Sequence, residues 1–145
     1  MALFHVNAIG DKWRPRAPDA AGLSDLLQAA PAGQPIPILI HGYRYHPGVA
    51  GMDPHDQILS PTGLPDKGLP SWPRHLGLRP GAPELMIAFG WPAGGTLWSA
   101  RAKASDAGRA LAGLIADIRA RAPDRPIAIL AHSLGARVVC EALHA

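Results

Sequence analysis

A chain of 145 residues can bury one core but is too short to assume two domains, and 48% hydrophobic residues exclude a disordered polymer. The formal charge of +3 rests on 14 basic and 11 acidic residues, and the basic ones stand singly, without the clusters or aromatic platforms of a nucleic-acid binder. Cys140 is the one cysteine, so no intrachain disulfide forms, and no apolar run nears the roughly 20 residues of a membrane span.

The N-terminus has no charged segment followed by an apolar one, so no leader is read there and the expected location is cytoplasmic. Leu3 to Ala8 (LFHVNA) suits a short strand, and Asp11 to Pro18, basic and broken by proline, reads as a loop. Leu23 to Ala30 fits a short helix closed by Pro31. Three continuous apolar runs then stand out: Ile36 to Ile40 (IPILI), Leu85 to Phe89 (LMIAF) and Ile127 to Ala131 (IAILA). Apolar on both faces, they are expected to be buried parallel strands, with 36–40 in the middle.

Between the second and third runs, Trp98 to Ala122 carries Gly108, Leu111, Leu114, Ile115, Ile118 and Ala122 at helical spacing, and Pro123 and Pro126 stop it. Strand, helix and strand in that order form a parallel crossover, right-handed by the general rule. A last helix is expected over Leu134 to Leu143. Residues 43–83 differ from all of this. They hold eight of the 16 prolines and many glycines, so they read as a long insertion loop with a short helix at Trp72 to Gly77. His46 and His55 with Asp53 and Asp56 lack any metal-ligand spacing and are expected to be solvated loop residues; no metal or other cofactor is implied.

The chemistry sits where the apolar runs end. Ala131-His132-Ser133-Leu134-Gly135 follows the third strand and opens a helix, and it resembles the nucleophile elbow of α/β-hydrolases, with Ala131 in place of the first glycine. A serine on so sharp a turn needs small neighbours two residues away on each side, and Ala131 and Gly135 meet that need. His41-Gly42-Tyr43 follows the first run, where the fold often begins its oxyanion loop His-Gly. Phe89-Gly90-Trp91-Pro92-Ala93-Gly94-Gly95 follows the second. In this order the three motifs resemble an uncharacterised bacterial family of serine esterase- or lipase-like α/β-hydrolases, over roughly residues 36–145.

The resemblance implies a partial α/β-hydrolase fold, a mostly parallel sheet with flanking helices, in a single truncated domain. It implies Ser133 as nucleophile acting on an ester or other acyl substrate, the Tyr43 and Leu134 amides as oxyanion hole, and His41, Gly42, His132 and Gly135 in support. The fold's chain order is Ser, then Asp or Glu, then His. His144 lies roughly 16 Å along a helix from Ser133 at about 1.5 Å per residue, too far for a base. The triad acid and base, with the C-terminal strands, are therefore expected beyond residue 145, and the chain alone is expected to be nearly inactive. Without those strands, 127–131 is an apolar edge open to self-association. Two alternatives remain: a non-catalytic interaction module, and an acyltransferase using the same elbow.

Overall fold

The computed structural model describes residues 2–18, 21–79, 81 and 83–145. Five strands form one sheet: β1 (Ala2–Ile9), β2 (Lys12–Pro15), β3 (Ile36–Ile40), β4 (Leu85–Gly90) and β5 (Ile127–Ala131), in the spatial order β2-β1-β4-β3-β5. The four longer strands are mutually parallel; β3 lies between β4 and β5, with Ile38 opposite Ile87 on one side and Ile129 on the other. The middle position expected for 36–40 is the one it takes. This is a partial α/β-hydrolase sheet with flanking helices.

Residues expected as a loop, 11–18, contain a strand. Gly10 adopts φ +59° in a two-residue turn, and β2 returns antiparallel along β1, from Ile9 opposite Lys12 to Val6 opposite Pro15. Trp13 is the reason. Its ring meets Phe4 edge-on at 6.3 Å, and its indole N–H donates to Asp117 at 2.8 Å. Pro15 is tolerated because it ends an edge strand, where no ladder donor is needed.

Helices α1 (Leu23–Ala29), α3 (Leu97–Arg121) and α4 (Leu134–Leu143) cover one face of the sheet. The Thr96 hydroxyl caps α3 by accepting the Ser99 N–H at 3.1 Å. Its buried stripe is Ala100, Ala104, Ala107, Leu111, Leu114 and Ile118, packed on Phe4, Val6, Ile38, Ile40 and Phe89. Gly108 sits where α4 crosses, and a methyl group there would strike Glu141.

The Pro/Gly-rich segment is neither a disordered loop nor confined to the strand ends. Residues 43–79 fold as two 3₁₀ turns (Pro54–Asp56 and Pro65–Lys67) and the one-turn helix α2 (Trp72–His75). They lay Ile58, Leu59 and Leu78 over Leu39, Met86 and Ala88, so they coat the second face of the sheet. Polar contacts fix this coat. Asp53 accepts from the Gly48 and His55 amides and from Arg16, which also pairs with Asp56 at 2.7 Å. Asp53 and His55 are therefore buried, and the expectation of solvated loop residues is corrected for both.

β5 forms one edge of the sheet, and among the described residues no strand pairs with its outer side. Ile127, Ile129 and Ala131 pack on the helical face, while Leu130 on the other face is 45% exposed. No helix among the described residues is long and apolar enough to cross a membrane.

Candidate active site

Ser133 stands between the end of β5 and the start of α4, exposed, with φ +55° and ψ −127°. Among the described residues only Ser133 and Arg44 carry a positive φ without being glycine. A side chain in that region costs on the order of 1–3 kcal/mol, so both positions are held by their surroundings. For Ser133 the restraints are visible. The His132 N–H donates to the Ile40 carbonyl at 3.1 Å, and the Gly135 N–H returns to the His132 carbonyl at 2.9 Å. A Cβ on Gly135 would lie 2.6 Å from the His41 carbonyl oxygen, so glycine is required for the elbow to nest against β3.

Gly42 makes the reciprocal approach. A Cβ there would stand 2.8 Å from both the Ser133 Cβ and the His132 carbonyl oxygen. The His41-Gly42-Tyr43 turn and the turn at Ser133 are thus in direct contact. Neither the Tyr43 nor the Leu134 amide has an acceptor among the described residues.

His41 is fully buried and stacks on Trp91 with ring centres 5.7 Å apart. Its Nε2 accepts the Trp91 backbone N–H at 2.9 Å, so Nδ1 carries the proton and donates to the Gly42 carbonyl at 2.9 Å. The Trp91 indole N–H donates back to the His41 carbonyl at 2.8 Å. Burial pushes the imidazole down to about 4, against the smaller upward pull of its hydrogen bond to Gly42. His41 is therefore neutral at pH 7 with both nitrogens engaged, which removes it as a base. Its effect is geometric: pinning the Gly42 carbonyl turns the Tyr43 N–H the opposite way across a planar trans peptide.

The Trp-Pro-Ala-Gly-Gly stretch after β4 completes the clamp, a role the sequence did not reveal. The Arg44 N–H donates to the Ala93 carbonyl and the Ala93 N–H to the Tyr45 carbonyl, each at 2.9 Å; the Tyr43 hydroxyl donates to the Gly95 carbonyl at 2.7 Å. These backbone latches also explain φ +83° at Arg44. Beside them opens a hollow of about 480 Å³ lined by Tyr43, Arg44, Tyr45, Met52, Gln57 and Gly95.

The other histidines are placed as follows. His132 is exposed, its ring edge-on to Trp72 at 6.1 Å, and His144 bonds to the Cys140 carbonyl at the far end of α4. His55 is held between Asn7 and His5: its Nε2–H donates to the Asn7 Oδ1 at 2.7 Å, and its Nδ1 accepts the His5 Nδ1–H at 2.8 Å. Among the described residues no three metal-ligating side chains converge.

Comparison with known proteins adds one finding. Residues 21–145 match the family model described as alpha/beta hydrolase of unknown function (DUF900). No curated protein and no solved structure matches the chain. The match spans most of the chain, from α1 to α4, and on that ground the protein belongs to the alpha/beta hydrolases of unknown function (DUF900).

Proposed function

We propose that this chain carries the nucleophile and the oxyanion hole of a serine hydrolase acting on ester or thioester bonds. One observation carries the reading: Ser133, a non-glycine residue at φ +55°, is held exposed on a strand-to-helix turn that touches the His41-Gly42-Tyr43 loop. Ser133 Oγ attacks the carbonyl carbon, and the Tyr43 and Leu134 amides, which have no acceptor among the described residues, take the developing oxyanion. His41 holds the first of these amides in place through Gly42. The chain order of the fold puts the acid and the base after the nucleophile, so this reading needs a general base that takes the proton from Oγ and returns it to the leaving alcohol or thiol, a role that neither His41 nor His144 fills. Without it the hydroxyl is weakly activated and turnover is low, although oxyanion stabilisation alone leaves a residual rate.

The test needs no turnover. Incubation with a fluorophosphonate, followed by peptide mass spectrometry, is expected to place one phosphonyl group on the peptide containing Ser133. Ser133→Ala should abolish it. An adduct on another serine, or one that persists in Ser133→Ala, would overturn the reading.

A further inference from the structure

Arg44 directly follows the residue whose amide is assigned to the oxyanion, and nothing above gives its side chain a task. Its backbone is held at φ +83°, a conformation in which glycine would be free of strain, yet the position carries the longest cationic side chain available. The guanidinium carbon lies 5.8 Å from the centre of the Tyr43 ring, and Arg44 lines the hollow of about 480 Å³ with Tyr45, Met52 and Gln57. No acidic residue lines that hollow. The carboxylates closest to Arg44 in sequence are both engaged elsewhere, Asp53 by Arg16 and by the Gly48 and His55 amides, and Asp56 by Arg16. Among the described residues Arg44 makes no ion pair and its side chain donates no hydrogen bond.

A strained backbone is retained where the side chain it presents has work to do. Here it places an exposed arginine at a concavity that shares Tyr43 with the proposed reacting centre, with the Tyr43 ring beside its guanidinium. A guanidinium fork matches the two oxygens of a carboxylate or phosphate better than any neutral group. We propose that this hollow is a substrate subsite and that Arg44 recognises an anionic group, carboxylate or phosphate, borne by the ester or acyl substrate. The proposal rests on the hydrolase reading for its reaction, but the binding it describes does not require Ser133 to react.

The experiment follows backbone amides of the 145-residue chain by two-dimensional NMR during titration with phenyl phosphate, phenylacetate and, as the neutral counterpart, benzyl alcohol. The two anions are expected to shift Arg44, Tyr45 and Gln57, with benzyl alcohol at least tenfold weaker, and the stronger anion names the source of the charge. Arg44→Gln should weaken anion binding about tenfold and Arg44→Lys less, while Ser133→Ala leaves it unchanged. Arg44→Gly accepts φ +83° without steric cost; it should melt no lower than the parent and still lose the binding. Benzyl alcohol binding as well as the anions, or Arg44→Gln and Arg44→Gly binding them as tightly as the parent, would overturn the proposal. Ser133 phosphonylated in a chain that ignores these anions would defeat this inference alone. Anions bound in a chain whose phosphonyl adduct lies on another serine would defeat the hydrolase reading and leave the anion site standing.

Discussion

On one face of the sheet α1, α3 and α4 cover Phe4, Val6, Ile38, Ile40 and Phe89; on the other, residues 43–79 lay Ile58, Leu59 and Leu78 over Leu39, Met86 and Ala88. The helical face is held by apolar burial repeated every turn of α3. The opposite face has fewer apolar contacts and adds a set of individually placed hydrogen bonds: Arg16 to Asp53 and Asp56, His5 to His55, His55 to Asn7, and Ser71 to the Ser60 carbonyl. Burial of apolar surface tolerates small shifts, whereas a buried polar contact loses its value when either partner is removed. The proposed reaction centre lies between the two: the turn at Ser133 leans on β3 and opens α4 on the helical side, and the clamp on Tyr43 comes from the stretch after β4.

Core truncation gives the largest separation between the faces. Leu114→Ala, at a fully buried position of α3, is expected to lower stability by about 2–5 kcal/mol in urea unfolding. Leu59→Ala is equally buried, but its main effect is expected to be local: faster hydrogen exchange for amides of residues 54–60, with α3 protected as before. Equal loss of protection in both regions from Leu59→Ala would show that the two faces unfold as one.

The smaller effect is polar and depends on pH. His55→Ala leaves the His5 Nδ1–H and the Asn7 Oδ1 without partners, at a cost of about 1–3 kcal/mol. Burial first, and then the charges of His5 and Arg16, hold the His55 imidazole well below its ordinary value; burial does the same to His41, pushed down to about 4. Both are depressed relative to an unfolded histidine near 6.5. Stability is therefore full above about pH 6.5 and falls as the pH drops towards 4, where only the unfolded chain takes up these protons. The urea midpoint should decline across that window, and less steeply in His55→Ala. A midpoint flat from pH 7 to 4.5 would contradict the buried neutral state of these histidines.

Most of the helical face was legible in the sequence. IPILI, LMIAF and IAILA are apolar without interruption, and the stripe from Gly108 to Ile118 repeats at helical spacing, so each states its own structure locally. The strand-to-helix turn at Ser133 was legible for a related reason: Gly135 follows it, and a Cβ there would lie 2.6 Å from the His41 carbonyl oxygen. Three things were not legible. β2 hid behind Pro15 and its charges, because its one decisive contact, Trp13 to Asp117, spans most of the chain. The coat of residues 43–79 has no period, being specified by pairings such as His5 with His55. The latches from Ala93 and Gly95 to residues 43–45 are mostly backbone to backbone, so side-chain identity scarcely encodes them.

The central claim is that Ser133 and two backbone amides form one reaction centre. A crystal structure of the Ser133 phosphonate adduct tests it most directly. The account predicts the phosphonyl oxygen within about 3 Å of both the Tyr43 and Leu134 nitrogens, as an oxyanion hole requires, with the His41 to Gly42 hydrogen bond intact. A phosphonyl oxygen turned to solvent, or bound by neither amide, would contradict it.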